Sequence, residues 1–122
     1  MTVFLTTEDL LALADDLGVG PVRDVGLLES AAHRPTTSLW GSDAYPTLLL
    51  KAAALMHSVV NNHALVDGNK RLGWLATVVS LDMNGVWIEG PDDAVYDLVI
   101  AVASGAADLS EISAALEPWI QQ

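Results

Sequence analysis

The 122-residue chain contains no cysteine, which removes disulfide bonds, thiolate metal sites and cysteine nucleophiles together and leaves the redox compartment open. Positive charge is scarce as well. Five Lys and Arg stand against sixteen Asp and Glu, a net charge of −11. A field of that sign repels nucleic acid and anionic lipid, so neither a nucleic-acid-binding module nor a membrane-surface protein is expected. Long apolar runs are missing. The longest uncharged stretch, Ala52 to Val66, holds two His and two Asn and is too short to span a bilayer. The N-terminus has no basic-then-apolar leader pattern. These absences predict a soluble, cytoplasmic protein. Repeats, low-complexity tracts and like-charge blocks are absent too, and Gly and Pro fall singly as punctuation. No linker is expected, and residues 1–122 are read as one domain.

What the chain does have is apolar mass. With 52% hydrophobic and 17% charged residues, it can bury a core. Thr6-Thr7-Glu8-Asp9 supplies a hydroxyl cap and early acids, and Leu10, Leu11, Leu13, Ala14 and Leu17 follow at helical spacing until Gly18. A second helix is predicted over Asp24 to Ala32, closed by Arg34-Pro35, because a residue before proline is pushed out of the helical region. Thr36 to Pro46 reads as a loop or short extended flap. From Thr47 to Asn62 almost every position is apolar, with Lys51, Ser58 and Asn62 on one narrow stripe, which predicts a helix buried nearly all round. Asn69 to Asn84 reads as a second such helix, with Lys70, Gly73, Thr77, Ser80 and Asn84 as its small or polar stripe and Gly85 as its left-handed stop. Val86-Trp87-Ile88 is a brief extended piece, Pro91 opens a helix to about Ser104, and Ser110 caps a last one reaching Trp119. The expected fold is all-α: an irregular bundle of about six helices with two buried at the centre.

Between those central helices lies a polar turn, His63-Ala64-Leu65-Val66-Asp67-Gly68-Asn69-Lys70-Arg71. Polar groups at the meeting point of two buried helices cost free energy unless they are paired or used. A helix N-terminus with free N–H groups favours an anion, and Lys70 and Arg71 add two of the five basic residues there. Asp67 would oppose that anion directly, and so makes better sense as a Mg²⁺ ligand bridging carboxylate and phosphates. His63 is suited to taking a proton from a hydroxyl. Taken singly, Asp67 reads as a cap, Gly68 as a turn glycine, Asn69 as the N-cap, and His63 equally well as a satisfied interhelical histidine. Taken together, one base, one acid and two cations around one helix terminus favour chemistry. His57 reads as a hydrogen-bonded core group and His33 as exposed, and no HxxxH or HExxH spacing supports a histidine metal site.

His63 to Arg71 resembles the signature of the Fic/Doc family, His-x-Phe-x-(Asp/Glu)-Gly-Asn-Gly-Arg, in the variant typical of Doc (death-on-curing) toxins, where Lys replaces the last glycine. The likeness extends to Gly26-Leu27-Leu28-Glu29-Ser30-Ala31 with Arg34-Pro35 and to Lys51 through His57, roughly residues 23 to 85. It implies a six-helix domain that transfers part of a nucleoside triphosphate to a protein hydroxyl. Fic proteins usually move AMP; Doc toxins are kinases that phosphorylate a threonine of elongation factor Tu and halt translation. Carried onto this chain, the resemblance implies that His63 is the base, Asp67 the Mg²⁺ ligand, and Gly68, Asn69, Lys70 and Arg71 the holders of the ATP phosphates.

Three departures bear on which reaction is expected. Leu65 replaces the family's Phe as the apolar anchor under the turn. Lys70 replaces the glycine of AMP-transferring members, crowding close backbone approach and attracting a phosphate. Trp74 stands where many Fic proteins place a second Arg. The last two favour the kinase over the AMP transferase, and a catalytically inactive helical binding module is the remaining alternative. In the family's terms the Thr36 to Pro46 segment resembles the flap that grips a target chain. The self-restraining motif Ser/Thr-x-x-x-Glu-Gly/Asn is incomplete, since Gly85 occupies the hydroxyl position before Glu89-Gly90. Restraint is therefore expected from an antitoxin whose tail lies in a groove.

Overall fold

A computed structural model describes residues 1–122 as six helices and one small hairpin. Helix α1 spans Thr7–Leu17, α2 Val25–His33, α3 Leu48–Asn61, α4 Asn69–Met83, α5 Asp92–Ala103 and α6 Leu109–Leu116. Short 3₁₀ turns at Arg34–Thr36 and Glu117–Trp119 follow α2 and α6, and strands β1 (Ser38–Leu39) and β2 (Ser42–Asp43) pair antiparallel. This is the all-α bundle of six helices that the sequence predicts.

Local chemistry explains most boundaries. Thr6 and Asp9 form a reciprocal capping box at α1, and Gly18 ends that helix at φ 71°. Asp24 caps α2 and Thr47 caps α3 through side-chain oxygens. Two boundaries differ from expectation. The last helix is capped by Asp108, not Ser110, because Asp108 and Glu111 exchange side-chain to backbone bonds, and its α-helical part stops at Leu116 before Pro118. Arg34 keeps helical angles, φ −52° and ψ −47°, despite preceding Pro35. Its side chain is tied down: Nε donates to the Tyr45 hydroxyl at 3.0 Å, and Nη1 meets Ser58 Oγ at 3.0 Å and His57 Nδ1 at 2.9 Å.

Helix α3 is the axis of the molecule. Every residue from Lys51 to Val60 except His57 is buried. On one side Leu55 and Val59 join Leu10 and Ala14 of α1, Leu28 of α2 and Leu72 of α4 in one apolar cluster. On the other, Met56 and Val60 pack with Val102 of α5 and with Ile112 and Leu116 of α6. The polar stripe of α3 is inside as well. Lys51 Nζ donates to Asp43 at 2.9 Å and to the Tyr45 carbonyl, fastening the hairpin to the helix.

Helix α4 is less buried than its sequence suggests. Its small stripe, Gly73, Thr77 and Ser80, is the buried one. A Cβ on Gly73 would lie 2.5 Å from Val60 Cγ2, so the missing side chain sets how closely α3 and α4 approach. The opposite apolar side, with Trp74 and Val78, is only half covered. Trp87, Ile88 and Glu89 run extended beside the C-terminus, where Glu89 N donates to the Trp119 carbonyl and Gln121 N to that of Trp87, both at 2.9 Å.

Candidate active site

The site is built where α3 stops and α4 starts. Asn62 closes α3, and His63 follows in a left-handed conformation, φ 55°. That place is commonly a glycine's, and for a residue with a side chain the conformation costs roughly 1–2 kcal/mol. Ala64 and Leu65 then turn inward and are buried, while Val66 and Asp67 stay exposed. Leu65 thus serves as the apolar anchor. Gly68 turns the chain into α4 at φ 94°, and a Cβ there would sit 2.4 Å from the Val19 Cβ. Only glycine meets both demands.

A strand-like clasp holds this turn. Val66 N donates to the Pro21 carbonyl at 2.9 Å, Gly20 N to Asp67 O at 3.0 Å, and Arg23 N and Asp24 N both to Ala64 O at 2.8 and 3.1 Å. The Arg23 guanidinium donates to the His63 carbonyl through Nε and Nη2. Sequence reasoning missed this clasp and Arg23 with it. The signal available was the Gly18-Val19-Gly20-Pro21 punctuation, which marks a turn but names no partner 40 residues away.

His63, Asp67, Gly68, Asn69, Lys70 and Arg71 all line one hollow of about 290 Å³. The structure therefore brings together the six residues that the sequence proposed as base, metal ligand and phosphate holders. Four of the six helices start with a side-chain cap; α4 has none, which leaves its first-turn N–H groups without a capping acceptor. The Asn69 side chain is spent elsewhere, accepting from Leu65 N at 3.0 Å and donating to Leu65 O at 2.9 Å. It braces the turn, so Asn69 offers an anion its backbone N–H alone.

Electrostatics single out this corner. Lys51 is buried against Asp43, and Arg34 is engaged with Tyr45, His57 and Ser58. The other three basic residues, Arg23, Lys70 and Arg71, are exposed and each lines a hollow bordering the turn. All the solvent-facing cations of an acidic protein thus sit around His63, where an anion gains most from them. Arg71 Nη2 lies 3.9 Å from Asp67 Oδ2, with both side chains exposed, so the contact contributes little on its own.

A divalent cation would find one carboxylate here. Asp67 is exposed, and no three His, Asp or Glu residues gather anywhere in the chain. That donor set does not make an all-protein cage. It does fit Mg²⁺, which is commonly held by one or two carboxylates plus substrate phosphates and water. His57 lies outside the hollow. Burial and then the Arg34 charge push its pKa below the usual value, and a donating guanidinium at Nδ1 fixes the neutral tautomer with the proton on Nε2.

A second, larger depression of about 720 Å³ adjoins the first and shares Lys70 and Arg71 with it. Its walls are mainly apolar, with Trp74 and Val78 of α4 facing Val95, Val99 and Ile100 of α5. The sequence expected a groove of this kind without locating it.

The family model described as Fic/DOC family matches residues 4–81. The chain is also 46% identical over 121 residues to Toxin Doc of Mycolicibacterium smegmatis (strain ATCC 700084 / mc(2)155), an alignment covering 95% of this chain and 92% of that protein. The similarity extends beyond the 23–85 span legible from motifs and covers almost the whole chain. No helix is long and apolar enough to cross a membrane.

Proposed function

This chain belongs to the Fic/DOC family, and from that premise we propose that it is a Doc-like toxin of a toxin–antitoxin pair, acting as a Mg²⁺- and ATP-dependent protein kinase. The observation that carries the reading is the single hollow joining His63, Asp67, Lys70, Arg71 and the uncapped start of α4. The proposed acceptor is a threonine hydroxyl of elongation factor Tu, which makes the outcome arrested translation and the place of action the cytoplasm.

In this reading the N–H groups of Gly68, Asn69, Lys70 and Arg71 and the two cationic side chains hold the phosphate oxygens of ATP. His63 takes the proton of the hydroxyl as its oxygen bonds to the γ-phosphorus, while the bond from that phosphorus to the bridging oxygen of ADP breaks. Asp67 would hold Mg²⁺, which when bound would neutralise charge on the transferring group. The rest is positioning, and no covalent nucleophile of the protein is needed.

Lys70 supports the kinase reading. An exposed ammonium at the second turn position fills space that glycine would leave for close backbone approach, and it adds a phosphate ligand. The neighbouring apolar groove supports an antitoxin tail that folds as it binds, laying an apolar helix face between α4 and α5. The deciding experiment incubates purified protein with Mg²⁺, elongation factor Tu and ATP labelled at either the α or the γ phosphate. Label transferred from the γ position alone is expected. Transfer from the α position would make the protein an AMP transferase, and no transfer by folded protein would leave a binding module. His63→Ala should abolish the signal while the far-UV spectrum stays helical.

A further inference from the structure

We propose that Arg23 is a positioning residue for His63, holding the peptide that aims the imidazole; the inference rests on the reading of His63 as the base. Both Nε and Nη2 of Arg23 converge on the His63 carbonyl oxygen, and no carboxylate pairs with that guanidinium. In a chain with sixteen acids, an exposed arginine committed to a carbonyl is doing something other than ion pairing. The carbonyl it holds belongs to the left-handed residue at the end of α3, where only a restrained backbone keeps a side chain in that conformation.

The main chain around Arg23 is itself restrained. Arg23 N and Asp24 N donate to Ala64 O, and Val66 N donates to Pro21 O, so the main chain carrying the guanidinium is registered against the peptides that directly follow His63. Turning the His63 carbonyl away would rotate its Cα–Cβ bond relative to α4 and carry the imidazole away from Asp67 and Lys70. Charge-assisted bonds from a planar fork resist that rotation better than one ammonium can. Location separates this role from phosphate binding. Arg23 lines a hollow of about 420 Å³ that shares His63, Val66 and Asn69 with its neighbour, whereas Asp67, Gly68, Lys70 and Arg71 line that neighbouring hollow and not this one. Loss of Arg23 should therefore disturb the base and spare the nucleotide.

The test compares wild type, Arg23→Lys and Arg23→Ala with Mg²⁺-ATP and the protein acceptor, together with the His63 ring signals in ¹H–¹³C NMR spectra. Arg23→Ala should lower kcat by roughly 10- to 100-fold, the penalty typical of a misplaced catalytic group, with KM for ATP changed by no more than about two-fold. Its His63 ring signals should shift or double, and Arg23→Lys should restore part of both readouts. Unchanged ring signals in Arg23→Ala, or a loss confined to KM for ATP, would overturn the proposal. If wild type transfers no group at all, the functional reading falls and the ring spectrum decides Arg23 alone: a shift supports the positioning role and an unchanged spectrum refutes it. Should Arg23→Ala fail to fold, Arg23→Gln, which keeps one amide donor, carries the same comparison.

Discussion

Asp67 and His57 show how titratable side chains are put to different ends by their surroundings. Asp67 is exposed and free of close partners apart from the 3.9 Å approach of Arg71, so replacing it should cost almost no stability. Asp67→Asn is expected to keep its unfolding free energy, read from urea denaturation, within about 0.5 kcal/mol of wild type, as surface changes do. The same variant should lose its transfer activity and its dependence on added Mg²⁺ together, read from initial rates across a Mg²⁺ titration. His57 carries no proposed chemistry but does carry a pH dependence. Its folded pKa lies below the ordinary value of about 6.5, so on acidification the unfolded chain takes up the proton first. The contribution of His57 is complete above pH 6.5 and is lost as the pH falls through the depressed folded value. Urea midpoints at pH 7.5 and 5.0 should therefore diverge less in His57→Gln than in wild type.

At the scale of elements, α3 passes close over α4 at Gly73. Alanine there would gain up to about 1 kcal/mol of helix propensity. The added Cβ, 2.5 Å from Val60 Cγ2, costs roughly 1–3 kcal/mol of overpacking, so the clash wins. Gly73→Ala should lower the urea midpoint, and Gly73→Ala combined with Val60→Ala should lose less than the sum of the two single changes. An additive double mutant would mean that the helices simply move apart. The hairpin of β1 and β2 depends on tertiary support of the same kind. Its two-residue strands are exposed, and what anchors it is the buried Lys51 ammonium, together with the bond from Arg34 to the Tyr45 hydroxyl. A pair of strands that short is not stable by itself.

Over the whole molecule, charge and apolar surface are distributed in opposite senses. The surface is acidic, the exposed cations gather around one turn, and a hollow of about 720 Å³ with mainly apolar walls lies next to them between α4 and α5. An anionic substrate and an apolar-faced partner can therefore occupy neighbouring places and compete across Lys70 and Arg71. Ile100→Asp places a carboxylate inside the groove, where a docking helix would bury it unpaired. Antitoxin affinity measured by calorimetry should fall by at least about ten-fold, an effect of roughly 1.4 kcal/mol. Unchanged affinity would place the antitoxin elsewhere.

The sequence by itself determined what depends on near neighbours along the chain. The cap at Thr6, the helix starts at Asp24 and Thr47, the stops at Gly18 and Gly85, and the assembly of His63 through Arg71 on one turn follow from spacing of nine residues or fewer, because helix geometry converts such spacing directly into proximity. Tertiary structure decided what depends on distant segments meeting. Arg23 reaches His63 across 40 residues, Lys51 is buried because Asp43 and Tyr45 fold over it, and the exposed side of α4 becomes a groove only once α5 stands opposite. Apolar composition predicted that α4 would be covered all round, but it could not tell a face buried within this chain from one left for another. Local spacing encodes which groups lie side by side on one element; which elements face each other is set by packing of the whole core.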